Sequence, residues 1–561
     1  MKKPFAFVLS LITVAALALP VMAAGGDVLV SNGSPVTPFP QNKQNEPTIA
    51  INPLNSNILV AGSNDEIDLG PCDGSNCPFT QGVGVSGIYF SFDGGATWTQ
   101  PTYTGWSARN GTPGVGPIGT LPWYYENGLV SDGDPIVAFG PQPGPNGEFS
   151  WSNGVRLYYS NLTANFNSGP KMEAFKGFEA IAVSRSDDIA GAAASDKNAW
   201  MAPVVISKQS AATFSDKETI WADNAATSPY FGNVYVCNVA FRSVGGPPEP
   251  VVFVRSTDGG NTWSQQQISQ ASNTNSSAGR AGGRQGCTVR TDSNGTVYLF
   301  WDGTYKNQGV QWMTRSYDGG VKFEKPQPVA TITEVGKYDP FNFSNSFDGI
   351  AGARTDSFPI VDIANGAPSG KDATNRIVMI WSDGSQGLNH EEALVQTSSD
   401  GGNNWSTPVN AAVSSDRPDF PAIAISPDGT SVYVTYMAFM DPWQSDTSGP
   451  RRMQGVVRQA AFSDLGNWTT LQRGPLGDAR ASSANSLTSE FLGDYNAVAA
   501  SNSQAAAVWN DVRNAAVCPA VNDWRQSLAD EAPTTKPAPA TDCPATFGNT
   551  DIFGWSLAPT P

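Results

Sequence analysis

The chain has 561 residues, including 57 Gly, 42 Pro and 16 Trp, with 15% charged residues and a net charge of −17. A hydrophobic content of 40% can fill a core, which excludes a disordered low-complexity chain, and the acidic balance excludes nucleic acid and anionic membranes, which recruit basic faces. Length alone suggests several domains, a prior that fails if the chain is built from repeats.

Residues 1–23 read as an export leader. Met1-Lys2-Lys3 is a positive start, Phe5 to Leu19 is apolar, and Val21-Met22-Ala23 offers small residues for cleavage before Ala24. A retained anchor helix is the alternative. No Cys follows the cut to take a lipid, and no later apolar run reaches the roughly 18–20 residues that span a bilayer. The mature chain, 24–561, is therefore expected to be secreted or periplasmic, without membrane insertion, and a monomer.

Six cysteines in an exported chain favour disulfides over metal ligands. Cys72 and Cys77 bracket a turn-forming run, and Cys518 and Cys543 bracket a Pro/Ala-rich excursion, so both read as local staples. Cys237 and Cys287 lie in strand-like stretches, either as a bridge between sheets or as two buried thiols. His390 is the sole histidine and no Cys-x-x-Cys occurs, which argues against zinc sites and Ser-His-Asp hydrolases.

A short buried strand starting at a charged residue recurs along the chain. Its starts are Glu46, Asp134, Asp216, Arg284, Arg354, Arg417 and Asp494, at intervals of roughly 60–90 residues. Most are followed by a second β run, such as Val297 to Trp301 or Val378 to Trp381. A turn motif recurs downstream: Ser91-Phe-Asp93-Gly-Gly95-Ala-Thr97-Trp98, Ser256-Thr-Asp258-Gly-Gly260-Asn-Thr262-Trp263, Ser316-Tyr-Asp318-Gly-Gly320-Val-Lys-Phe323 and Ser398-Ser-Asp400-Gly-Gly402-Asn-Asn-Trp405. Worn copies are expected near Tyr159-Ser160-Asn161 and at Ser463 to Trp468. Asp-Gly-Gly supplies positive φ for a reversal, the carboxylate accepts turn N–H groups, and the aromatic packs back on the sheet. Repeated four-stranded units of this size predict an all-β propeller of seven blades, with six as the alternative. Asp27 to Val30 would supply the outer strand that closes the last blade. Residues 530–542 read as a Pro/Ala-rich surface insertion within one domain.

These turns resemble the Asp-box, or BNR, repeats of the sialidase superfamily, and Gly493-Asp494-Tyr495 with Val508-Trp509-Asn510-Asp511-Val512-Arg513 resembles bacterial secreted sialidase-like proteins. The resemblance implies that Asp93, Asp258, Asp318 and Asp400 are structural and that the site lies at the opposite mouth. Starts of inner strands and ends of second strands meet there, adding Asp65, Asp302, Asp383, Asp511 and Arg513 to the candidates.

By the same resemblance Arg284, Arg354 and Arg417 bind a substrate carboxylate, with Asp494, Asp511 and Arg513 beside them, since guanidinium forks match carboxylates. Tyr495 is implied as nucleophile and Asp134 or Asp65 as proton donor, because a neutral Tyr needs a carboxylate to take its proton and the leaving oxygen needs an acid. The chain departs from the family in lacking a Phe/Tyr-Arg-Ile-Pro motif, which points away from an exo-sialidase. A glycoside hydrolase or lyase acting on an acidic glycan is the leading expectation. The alternatives are a non-catalytic propeller that binds a glycan or protein through Trp106, Trp123, Tyr124 and Tyr125, and inter-blade salt bridges as the role of the charged ring. No cofactor is expected; the acidic loops Asp65-Glu66-Ile67-Asp68 and Asp187-Asp188 suit either structural Ca2+ or solvated acids.

Overall fold

The computed structural model describes residues 26–33, 43–72, 74, 77, 79–166, 174–242, 248–270 and 286–557. The leader and Arg284 lie outside these residues. The described chain is all-β, and its strands form successive antiparallel meanders, numbered here as sheets in chain order. Sheet 1 is Gln44–Ile51, Leu59–Asp65 and Ser86–Ser91. Sheet 2 is Ile136–Pro141, Val155–Asn165, Ala180–Ser186 and Trp200–Val205, and sheet 3 is Phe214–Ala222, Val234–Phe241, Val251–Ser256 and Ser264–Gln267. Sheet 4 is Thr288–Thr291, Val297–Tyr305, Gln308–Ser316 and Gln327–Ile332; sheet 5 is Ile360–Ile363, Ile377–Asp383, Glu392–Ser398 and Val409–Asn410. Sheet 6 is Arg417–Ile425, Ser431–Phe439, Arg452–Ala461 and Thr469–Arg473. Sheet 7 joins Ala497–Ala500, Ala505–Asp511 and Asp551–Leu557 to the early strand Val28–Leu29.

Apolar side chains of the second and third strands fill the space between neighbouring sheets. Val60 and Phe90 meet Leu157 and Tyr159 between sheets 1 and 2, and Tyr235 and Phe253 meet Leu299 and Trp301 between sheets 3 and 4. Tyr433 and Val457 meet Trp509 and Trp555 between sheets 6 and 7. Leu59 and Tyr89 of sheet 1 pack against Val508 and Ile552 of sheet 7. The first strand of each sheet contacts that of the next, and the first strand of sheet 1 contacts those of both sheet 2 and sheet 7. Burial of large rings between sheets, each contributing about 1.5–3 kcal/mol, replaces a single central core.

The turn motif is a closed hydrogen-bond unit. Ser256 Oγ donates to Asp258 Oδ1 at 2.8 Å and accepts from the Gly260 amide at 2.8 Å. Asp258 accepts from the Thr262 amide and hydroxyl at 2.9 and 2.6 Å, and Trp263 Nε1 donates to the Gly260 carbonyl. Gly260 has φ 87°, and a Cβ there would fall 2.8 Å from Arg185 Cδ, so the position demands glycine. Ser91, Ser316 and Ser398 repeat the serine contacts.

Sheet 2 departs from expectation. Tyr159-Ser160-Asn161 lies inside the strand Val155–Asn165, and the turn between the third and fourth strands is Ser186-Asp187-Asp188, where Asp188 caps the helix Ile189–Ala193. The strand pattern hid this turn because the helix displaces the paired glycines. The excursion 512–550 also contains a helix, Pro519–Ala529, opened by Pro519 at its first turn; Pro539–Asp542 forms a further helical turn within 530–542.

All three cysteine pairs are disulfides: Cys72–Cys77, Cys237–Cys287 and Cys518–Cys543. Of the two readings open for Cys237 and Cys287, the bridge between sheets is the one adopted. Three disulfides fit an oxidising, extracellular environment.

Replacing Ser256 by Ala leaves the buried Gly260 amide without an acceptor, and urea denaturation should show a loss of about 1–3 kcal/mol. The paired change of Cys237 and Cys287 to Ala should cost about 2–5 kcal/mol by the same measurement, because the bridge closes a long loop.

Candidate functional site

Several inner strands are entered or approached through a left-handed residue: Glu46 (φ 56°), Asp134 (52°), Lys217 (53°), Gly286 (83°), Phe420 (43°) and Gly493 (80°). For the four that are not glycine this costs about 1–3 kcal/mol each. The ladders shift register at the same places, between Asn45 and Thr48, Asp216 and Thr219, and Asp419 and Ala422. Bulges of this kind re-aim side chains, and here charged groups from separate sheets meet at one end of the inner strands. Gly493 is required for close approach, since a Cβ would fall 2.4 Å from Glu46 Cγ.

A cavity of about 440 Å³ runs along the inner strands. Asp134, Lys217, Glu218, Phe358 and Tyr495 line this end of it, and Leu54, Asn502 and Ser503, all exposed, line the other.

Asp494 organises the charges. Its carboxylate accepts Lys217 Nζ at 2.6 Å and a two-pronged contact from Arg354, Nε at 2.7 Å and Nη2 at 2.6 Å. Its amide donates to Glu46 Oε1 at 2.9 Å, and Asn64 Nδ2 donates to Glu46 Oε2 at 2.9 Å. Tyr495 is 9% exposed, its hydroxyl donates to the Pro135 carbonyl at 3.4 Å, and Lys217 Nζ lies 5.2 Å from its ring centroid. Glu218 is 3% exposed; Ser160 Oγ donates to its Oε1 at 3.4 Å, while Oε2 has no hydrogen-bond partner among the described residues.

The protonation states separate sharply. Burial alone would raise Asp494, yet Arg354 and Lys217 hold it well below the usual carboxylate range. Burial pushes Asp134 well above that range, and the charge and hydrogen bond of Glu46 push it further. Burial likewise drives Glu218 up, with Asp216 adding to it. Tyr495 is raised by burial and then by Asp134, Glu46 and Glu218. Against the cost of burial, Asp494 and Glu46 keep Lys217 charged. The cluster therefore combines an ionised clamp with two carboxyl groups that hold protons.

The other candidate residues lie elsewhere or are engaged. Asp65 is fully buried and accepts from Tyr89, Gln44, Gln100 and the Ile67 amide, so the acid role expected of it has no route to a ligand. Arg417 is consumed inside the protein: Nε and Nη2 go to Glu391, Nη1 to the Asp441 carbonyl and Nη2 also to the Phe347 carbonyl. It does not converge with Arg354, whose side chain is 44% exposed. Arg513 binds Asp511 and Asp27 and stacks on Phe553 at 3.8 Å, which fastens the early strand to sheet 7 rather than facing a ligand. Asp511 accepts Trp509 Nε1 and Asp383 accepts Trp381 Nε1, each at 3.1 Å, as repeated strand-end locks. Asp302, Glu334 and Asp356 offer oxygens within 4.8 Å of one another, and none of them is without a partner.

In both acidic loops the aspartates are engaged by protein donors, while Glu66 Oε2 has no hydrogen-bond partner among the described residues. Asp68 accepts from Arg109, the Gly119 amide and Thr120, and Asp187 takes a two-pronged contact from Arg156. The loop aromatics are largely packed. Tyr124 is buried with its hydroxyl on Asn161, Trp123 lies under Lys197 at 3.9 Å, and Trp106 and Tyr125 both rest on Phe166.

Lys217 and Glu218 were not singled out from the sequence. The signal was a start of Asp216-Lys217-Glu218 where other strands carry one charged residue.

The described residues thus form an all-β succession of three- and four-stranded antiparallel meanders with repeated Ser-x-Asp-Gly-Gly turns. The chain is similar to the intramolecular trans-sialidase of Ruminococcus gnavus, with 11% identity, a TM-score of 0.42, and coverage of 74% of this chain and 93% of that one. It is also similar to the α-L-arabinofuranosidase of Fusarium graminearum (11% identity, TM-score 0.38, 75% and 92% covered) and to the endosialidase of phage phi92 (10%, 0.40, 95% and 69%). No family model and no curated protein matches the sequence. At these scores the likenesses carry no assignment of activity.

The raised Asp134 has a measurable consequence. Its folded form binds a proton that the unfolded chain, with an ordinary carboxyl near pH 4, has released, so stability falls as pH rises from about 4 toward neutrality. Asp134→Asn should flatten that slope in urea denaturations run from pH 4 to 8; an unchanged slope would place the proton elsewhere.

Proposed function

We propose that the seven sheets are the blades of one closed propeller, with Val28–Leu29 completing the last blade, and that the protein is an exported glycoside hydrolase or lyase acting on an acidic glycan. The observation that supports this is the meeting of Asp134, Glu218 and Tyr495 on one cavity end, with two proton-holding carboxyl groups beside an un-ionised phenol.

In this reading Asp134 gives its proton to the leaving glycosidic oxygen. Tyr495 Oη attacks the anomeric carbon as that bond breaks, and its proton passes to Glu218 in its ionised form. Water then attacks the anomeric carbon as Asp134 takes its proton, the bond to Tyr495 Oη breaks, and the phenolate recovers its proton from Glu218 as the sugar leaves. The need for ionised Glu218 and protonated Asp134, both with raised proton affinity, gives a bell-shaped profile whose two apparent values belong to the coupled group. Among the described residues Arg354 is the candidate for the sugar carboxylate, because its partly exposed guanidinium can share Asp494 with a ligand.

A second reading, a non-catalytic glycan-binding propeller, is favoured by the engagement of Arg354 by Asp494 and of Arg417 by Glu391. Reducing-sugar release from uronate- and sialate-containing glycans separates the two. Tyr495→Phe and Asp134→Asn should each reduce release by at least about a hundredfold. A wild-type protein that binds these glycans and releases nothing would establish the binding reading instead.

A further inference from the structure

Between sheets 4 and 5 the chain builds a small arm, Lys337–Asp339, Ser344–Ser346 and Arg354–Thr355, that ends at the arginine of the mouth cluster. It holds two aromatic rings in water: Phe343 is 83% exposed and Tyr338 60%. Phe343 also has φ 54°, a left-handed conformation that a bulky side chain rarely adopts. Neither the exposed ring nor the strain serves the packing of the arm.

The arm is nevertheless firmly mounted. Asp339, fully buried, accepts the Phe341 amide, Asn342 Nδ2 donates to the Gly352 carbonyl at 2.6 Å, and Asp348 accepts the Ala353 amide. Buried Arg417 and Arg451 donate to the Phe347 and Ile350 carbonyls at 2.7 and 2.9 Å. A fixed support beneath largely exposed rings is the arrangement of a preorganised binding surface, where little ordering entropy remains to be lost.

We infer that the arm is a glycan-binding subsite, with Tyr338 and Phe343 stacking on sugar rings of a chain whose reacting end lies at the mouth cluster. This rests on the proposed glycan reading and extends it. Stacking on C–H faces suits rings set among polar groups: Asn345 is the cross-strand partner of Tyr338, and half-buried Asn342 and Ser344 flank Phe343. Arg354, in the arm's last strand, reaches Asp494 of the mouth cluster and keeps its side chain 44% exposed, so the arm meets the mouth at a cation that an acidic polymer could share.

Affinity electrophoresis of the full chain through gels cast with polygalacturonate, hyaluronan or colominic acid tests the inference. At least one polymer should retard the wild type, and the double change Tyr338→Ala and Phe343→Ala should weaken that affinity about tenfold, in line with the loss of two ring contacts. Tyr495→Phe should be retarded like the wild type. Phe343→Gly removes the ring and admits positive φ, so it should be retarded less than the wild type and more than the double variant, while keeping its thermal midpoint at or above that of the wild type. Retardation without sugar release would sink the catalytic reading and leave the arm standing. Sugar release with equal retardation of wild type and double variant would overturn the arm alone. No retardation by any of the three polymers, or a midpoint several degrees lower in Phe343→Gly, would also overturn it, the former in favour of a protein partner and the latter in favour of a packing role.

Discussion

The organisation of the mouth depends on one carboxylate. Asp494, on the approach to sheet 7, receives Lys217 from sheet 3 and Arg354 from the entry to sheet 5, and its amide binds Glu46 of sheet 1. Four sheets are thus tied at one end of their inner strands by contacts of 2.6–2.9 Å. Glu46, Asp134, Asp216, Glu218 and Asp494 share these two cations. The ion pairs stabilise Asp494 as the charged form, while Asp134 and Glu218, desolvated beside further negative charge, retain protons. A merely solvated acidic rim would not separate its members this way, because water would screen each from the others.

The same network carries a conformational cost. Glu46, Asp134 and Lys217 sit at positive φ, and the ladders beside Glu46 and Lys217 are bulged. Strain at successive strand entries is tolerable because the sheets behind them are dense with buried rings, among them Trp301, Trp381, Trp509 and Trp555. Stability supplied between the sheets thus permits charge to be concentrated at the axis.

The arginines illustrate how position differs from role. Arg354 and Arg417 both lie at an entry to an inner strand, yet one reaches the axis and remains partly exposed while the other is buried against Glu391. Arg513 stands near the start of the chain in space although it is remote in sequence, and its pairing with Asp27 fastens the early strand. Charged residues in repeated sequence positions have diverged into clamp, strut and candidate ligand site.

Repetition was legible in the sequence because its physics is local. Ser256-Thr-Asp258-Gly-Gly260 specifies its own turn through contacts within a few residues, and the alternating strand runs specify sheets. The early strand of sheet 7 could be anticipated because the last unit lacked its own outer strand. The turn Ser186-Asp187-Asp188, the helix Pro519–Ala529 and the three-stranded arm escaped notice where insertions interrupt that local code. Tyr495 and Asp134 could be nominated from their place in the repeat, but the engagement of Arg417 by Glu391, the burial of Asp65 and the arrival of Lys217 and Glu218 could not. Those depend on which side chains from distant sheets share one low-dielectric space, and only the assembled fold fixes those distances. The sequence by itself determined the repeated β unit, its turns and the acidic balance; the tertiary structure decided which carboxyl groups keep their protons and which cations remain within reach of a ligand.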